Sequence, residues 1–272
     1  MIPAPGRLGT MDPDQVAGGL ESAGVALQAE PGVPTATYPG NALFSRYGVE
    51  IEYAVVDRRT LDVRPVVDEL FDRETGGYGP FSHDDITWSN ELVNHVLELK
   101  LTAPAATLDG VAERFQADVQ YLNAKLAGME CKLLPTGMHP WMDPATETVL
   151  WDHEDGEIYT AYDRIFNCRR HGWANLQSVH LNLPFGNDDE FRRLHSAIRL
   201  LLPLLPALAA SSPYAEGSFS KFFDARMKAY RTNSEAIPSV TGHVVPELIR
   251  DRAEYEREIL HRVYRDILPH DP

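Results

Sequence analysis

The chain has 272 residues, 43% of them hydrophobic and 24% charged: ordinary globular material, long enough for one large domain or two small ones. Asp+Glu 40 against Lys+Arg 25 leaves a formal net charge of -15, which disfavours a nucleic-acid phosphate binder, since such a protein needs an excess of cations along its contact face. Two cysteines, Cys131 and Cys168, build neither a zinc cage nor a disulfide framework, and a reduced cytoplasmic setting is the plain expectation.

Residues 1–40 are rich in Pro and Gly and lack a basic start followed by an apolar core, so they read as a flexible leader rather than a secretory signal. From 41 to 272 there is no repeat and no low-complexity tract, which predicts a single domain. Residues 49–57 alternate as a strand, with Val49, Ile51, Tyr53 and Val55 on one face and Glu50 and Glu52 on the other. A second strand is expected over 93–101, with Glu98 and Lys100 pointing together. Thr107 is the expected cap of a helix carrying Leu108, Val111, Phe115, Val119, Leu122 and Leu126 at helical spacing.

Residues 132–137 form a further strand candidate ending in a Gly turn. Over 178–183, Val179, Leu181 and Leu183 are expected inward and His180 and Asn182 on the opposite side. A helix from about Glu190 places Phe191, Leu194, Ile198, Leu201, Leu205 and Leu208 on a core face, with Pro203 and Pro206 kinking or ending it. That apolar stretch, which also holds Arg199, is too short for the ~20 residues a bilayer requires. Asp251 and Glu254 read as a capping box for the last helix. Strands interleaved with periodic helices, without a regular βαβ series, predict an α+β fold.

The informative feature is that three strands each turn ionisable or polar groups to one side. A face lined by Glu50, Glu52, Glu98, His180 and Asn182 is no apolar core, and clustered carboxylates repel unless water, a basic partner or metal ions offset them. Hard cations such as Mg²⁺ take carboxylate oxygens and keep positions open for phosphates. A plain solvated sheet face is the simpler account of any single Glu pair. His139, in a loop, divides evenly between lining a pocket and packing a turn. Arg231 could clamp a carboxylate or phosphate, although a surface salt bridge is the commoner role, and Arg169-Arg170-His171 reads as a helix end. No phosphate-binding Gly loop, dinucleotide fingerprint, H-E-x-x-H or G-x-S-x-G sequence is present.

Tyr47-Gly48-Val49-Glu50-Ile51-Glu52-Tyr53 resembles the opening strand of the glutamate–cysteine ligase family and its carboxylate–amine ligase relatives. The likeness runs in order through Ser89-Asn90-Glu91-Leu92-Val93, Leu97-Glu98-Leu99-Lys100, Pro135-Thr136-Gly137-Met138-His139-Pro140, Gln177-Ser178-Val179-His180-Leu181-Asn182 and Tyr230-Arg231-Thr232. The resemblance implies a curved, mainly antiparallel sheet with helices on one face, related to the glutamine synthetase catalytic domain. It implies joining of the γ-carboxylate of glutamate to an amine such as cysteine, with ATP and Mg²⁺, through an acyl phosphate.

By the same resemblance Glu50, Glu52, Glu91, Glu98 and His180 look like metal ligands, Glu50, Glu98 and Arg231 like catalytic groups, and His180, Asn182 and Arg231 like nucleotide contacts. Glu91 and Glu98 stand an odd number of residues apart, so a bulge or turn near Val93 is required if both reach one site. Family members continue past a segment like 264–269 into further strands, including one with Glu-x-Arg. The domain is therefore expected to be incomplete on that side, with a sheet edge open to homo-oligomer formation. Two other readings stand beside the ligase: a non-catalytic remnant that binds nucleotide or a small acid or acts as an assembly partner, and a metal-dependent hydrolase using His139, His180 and the carboxylates.

Overall fold

Strand β1, Gly48–Asp57, is the axis of the fold. The computed structural model describes residues 42–241 and 246–270, so the expected leader at 1–40 lies outside the described residues. In chain order β1 is followed by helix α1 (Val67–Thr75), strands β2 (Phe81–His83), β3 (Ile86–Asn90) and β4 (Val96–Leu101), and helix α2 (Val111–Ala127). Next come β5 (Cys131–Leu134), the short α3 (Pro144–Glu147), α4 (Gly156–Phe166) and β6 (Val179–Asn182). Helices α5 (Asp188–Leu201), α6 (Leu205–Leu208) and α7 (Ala225–Tyr230) lead to a last helical run, α8, over 252–267.

The sheet runs β2-β3-β4-β1-β5, with β6 also on β1, and every pairing is antiparallel. One side of β1 is held by β4 along Glu50 to Ala54. The other side is shared, with β6 on its first half and β5 on its second. Mixed helix and antiparallel sheet make this an α+β fold, as the alternation of strand and helix patterns predicts.

Register sorts the two faces. Ile51, Leu99 and Trp88 are successive partners across β1, β4 and β3, and Phe81 continues the row on β2. This is the apolar side, covered by α2 through Phe115, Leu122 and Leu126. Leu97, Leu99 and Trp88 are fully buried, each contributing about 1.5–3 kcal/mol by removal from water. The Trp88 indole N–H donates to Asp118 Oδ2 at 2.5 Å, and His83 Nδ1 meets Asp118 Oδ1 at 2.6 Å, so the one buried carboxylate of α2 is satisfied from two sides. Phe71 of α1 packs edge-on against Phe81 and Trp151. No helix among the described residues is long and apolar enough to cross a membrane.

Several expected boundaries move. The strand expected over 93–101 starts at Val96, because Val93–His95 belong to the turn that follows β3, and the β2–β3 hairpin was not anticipated. Helix α2 starts at Val111 after Gly110, whose φ of 73° suits glycine, so Thr107 is no cap and Leu108 is exposed. The α5–α6 helix does break before Pro206, as its prolines require. Its stripe is not core: no residue of α5 is buried, and Leu201, Leu205 and Leu208 are exposed among the described residues. On β6, Val179 and Leu181 are likewise exposed rather than inward. Alternation shows which side a residue takes, and whether anything covers that side depends on packing it cannot show. The Asp251 cap is observed, with its carboxylate accepting from Glu254 N at 2.8 Å. Glu254 in turn reaches back to Arg250 N.

Candidate metal and substrate site

The face of the sheet opposite α2 carries the acids, and cross-strand pairing sets them in rows. Glu52 pairs with Glu98 and Glu98 with Ser89, while Ser178 closes the row by donating its N–H to Glu52 Oε2 at 3.0 Å. The next row along runs His180, Glu50, Lys100, Thr87. Gly48 and Asn182 form the start of a third. Gly48 leaves room there, since a Cβ at that position would lie 3.1 Å from Asn182 Cβ and press on it.

Within these rows Glu50 is held from both sides. Its Oε2 meets His180 Nδ1 at 2.9 Å, and its Oε1 accepts from Asn182 Nδ2 at 2.9 Å. The carboxylate of Glu98 accepts from Ser89 Oγ at 2.8 Å and from Lys100 Nζ at 2.7 Å. Two triads of ligand atoms result, each with all its members within 4.8 Å of one another: Glu50, Glu98, His180 and Glu52, Glu91, Glu98. Glu98 belongs to both. The turn expected near Val93 is what brings Glu91 to Glu98: β3 ends at Asn90, Val96 N donates back to Val93 O, and β4 starts anew at Val96.

Burial, with the neighbouring carboxylates, shifts the protons of this face. Burial pushes the Glu52 carboxyl up to about 7, against the opposing pull of His180, the Ser178 N–H and Arg226 and with added repulsion from Glu98. Burial also pushes Glu91 well above its ordinary value, and Glu52 and Glu98 reinforce the shift. Carboxylates this close suit a hard divalent cation, which would take the place of the protons.

The other candidates fall elsewhere. His139 is buried in a turn, with Nε2 on Leu61 O at 2.7 Å and Nδ1 accepting from Trp141 N and Met142 N, so it packs the loop. That removes the histidine pair on which a metal hydrolase would rest. Arg169 and Arg170 tie down backbone carbonyls at Thr148, Thr232 and Asn233. Arg231 is exposed where α7 ends. The arginine whose charge reaches Glu52 is Arg226, five residues earlier and about 140° around the helix. Sequence reading had passed over Arg226, and over Lys100 as a counter-ion. The position of Lys100 two residues from Glu98 on one strand was the available signal for the latter.

A family model described as glutamate-cysteine ligase family 2 (GCS2) matches residues 46–265, which include every residue of both triads. The chain belongs to glutamate-cysteine ligase family 2. It is similar to an "Uncharacterized protein" of Archaeoglobus fulgidus, 37% identical over 222 residues, covering 81% of this chain and 59% of that protein. It is also similar to a "Putative glutamate--cysteine ligase 2" of Corynebacterium glutamicum, 25% identical over 187 residues, covering 68% of this chain and 46% of the relative. A "Putative glutamate--cysteine ligase 2-1" of Rubrobacter xylanophilus is 27% identical over 192 residues, with the same coverage of 68% and 46%. The GCS2 chain described here thus spans about half the length of the curated relatives it matches.

Proposed function

We propose that this chain carries the metal-binding face of an ATP-dependent carboxylate–amine ligase, which joins the γ-carboxylate of glutamate to an amine such as cysteine through an acyl phosphate. The single observation that carries the reading is the meeting of two ligand triads at Glu98 on one face of the sheet. Membership in the family and the names borne by the relatives support a ligase-type reaction.

Glu50, Glu98 and His180 would hold one Mg²⁺, and Glu52, Glu91 and Glu98 a second. When bound, such ions neutralise phosphate oxygens and the charge that builds on a phosphoryl group in transfer. The chain's own part is positioning. His180 and Asn182 fix both oxygens of Glu50, and Ser89 and Lys100 orient Glu98. The Lys100 ammonium also places a positive charge beside the face on which a transferred phosphoryl group would lie.

The test is ADP release by the purified protein with Mg²⁺, ATP and glutamate, with and without cysteine or another amine. Hydroxylamine serves as a trap that converts an acyl phosphate to a hydroxamate. Glutamate-dependent hydroxamate and ADP are expected. Tight Mg-ATP binding with no glutamate-dependent ADP under any amine would replace the ligase with a nucleotide-binding remnant.

A further inference from the structure

Helix α5 has two apolar sides, and among the described residues α8 covers only one of them. On that side Phe191 and His195 lie against Tyr255 of α8, with ring centroids at 5.8 and 6.1 Å. Polar ties hold the two helices there: Arg252 Nε donates to Asp188 Oδ1 at 2.9 Å, and Arg199 Nε donates to Pro246 O at 2.6 Å. The other side carries Leu200, Leu201, Leu204, Leu205 and Leu208, which are between 46% and 78% exposed. Hydrogen bonds from Leu202 N to Ile198 O, Leu208 N to Leu204 O and Ala209 N to Leu205 O carry the helical winding across the join between α5 and α6. At about 100° per residue the five leucines then fall within about 140° of arc, a single stripe.

The size of this stripe matches what a stable pair of chains needs. Five leucines so exposed present roughly 500–600 Å² of apolar surface, the upper end of the largest patch a typical monomer shows. A stable interface buries about 800 Å² per partner, of which about 60% is apolar, so the stripe suffices as its core.

Charge narrows the choice of partner. Two copies of a chain with a net charge of -15 repel wherever their acids face each other, yet residues 200–215 contain no Asp, Glu, Lys, Arg or His. At the stripe, two copies meet without bringing like charges together. A lipid surface fits less well, because a helix lying on a membrane rims its apolar side with free Lys and Arg. Here Arg192 and Arg193 are both paired with Asp189, and Arg199 is tied to Pro246 O. A leucine stripe is also its own complement, since two helices crossing about a two-fold axis seat the ridges of each in the grooves of the other.

We propose that the α5–α6 stripe is the interface of a homodimer, in which a second copy of this chain covers Leu200, Leu201, Leu204, Leu205 and Leu208 with the same five residues. Sedimentation velocity on the full chain over a concentration series is the test, and a species of twice the 30.4 kDa chain mass is expected. Leu204→Glu and Leu208→Glu each put a negative charge into the stripe. Both are expected to raise the dimer dissociation constant at least about tenfold with the far-UV circular dichroism unchanged. Leu108→Glu, at an exposed leucine ahead of α2, should leave it within about twofold.

Crosslinking gives a second reading. Cys131 and Cys168 are buried, so Leu204→Cys adds an accessible thiol at the middle of the stripe. Mild oxidation is expected to join two copies through it, and not through Leu108→Cys. A chain that stays monomeric at every concentration overturns the interface. So does a dimer that both Glu variants leave intact, which would lie at another surface such as the edge of β6. Monomeric protein that pellets with phosphatidylcholine vesicles, and loses that binding in Leu204→Glu, assigns the stripe to a lipid surface instead.

Discussion

Replacing Glu52 with Gln should make the metal-free protein more stable. The Glu52 side chain is 9% exposed, and its carboxyl, held up to about 7 chiefly by burial, ionises only at a cost in the folded state. The sign follows from linkage. The ordinary value is 4.5, so unfolding favours the ionised form; the contribution of Glu52 to stability is fully present below pH 4.5 and is lost as pH rises through 7. At 1.36 kcal/mol per pH unit, the gap amounts to about 3 kcal/mol above neutrality. Gln keeps the shape of Glu and an oxygen that can accept from Ser178 N, so the change removes charge and little else. Urea unfolding in EDTA should show Glu52→Gln more stable than wild type by about 3 kcal/mol at pH 8, with the difference shrinking toward zero near pH 4.5. Added Mg²⁺ should then stabilise the wild type and do less for the variant. A variant no more stable than wild type at pH 8, or a gain that ignores pH, would show that the acidic face carries no such strain.

Glu98→Gln should lower glutamate-dependent ADP release by more than about 100-fold with the fold intact by circular dichroism, because it removes the carboxylate common to both triads; a kcat within tenfold of wild type contradicts the shared role. His95 is wholly buried, its Nε2 on Ala174 O, and burial holds its pKa at about 4. The unfolded chain therefore takes up that proton first, and stability should fall by about 3 kcal/mol from pH 6.5 to pH 4. Urea midpoints in the Glu52→Gln background, where the opposing slope is absent, are the measurement, and His95→Leu should flatten the curve. Gly48→Ala pushes a methyl group against Asn182 Cβ and should cost about 1–3 kcal/mol while weakening Mg²⁺ binding measured by calorimetry, since Asn182 holds Glu50.

Much of the acidic face was legible in the sequence because period-two alternation is a strong constraint. Glu50 and Glu52 on one side of β1, and His180 and Asn182 on one side of β6, follow from spacing alone, and pairing then makes them neighbours. The placement of Glu91 also followed, as the odd spacing from Glu98 could be reconciled only by a bulge or turn near Val93, and a turn separates Asn90 from Val96. Arg226 was illegible for the opposite reason. Which side of a six-residue helix faces a sheet depends on how α7 docks, and nothing local in Ala225–Tyr230 fixes that. The stripes on α5 and β6 misled in a third way, since an amphipathic pattern records a demand for cover and does not supply it. His139 was undecided in sequence because burial within a turn, the observation that settles its role, arises from contacts with Leu61 far along the chain.

The same ten residues of β1 serve as floor for one half of the molecule and ceiling for the other. Slide that strand by a single position and the two would change places: Glu50 and Glu52 would be driven into the layer of Leu99 and Trp88, and Ile51 would surface among the carboxylates. A mispaired folding intermediate would therefore be ruined twice over. The position of the acidic face is thereby guarded by the apolar layer beneath it.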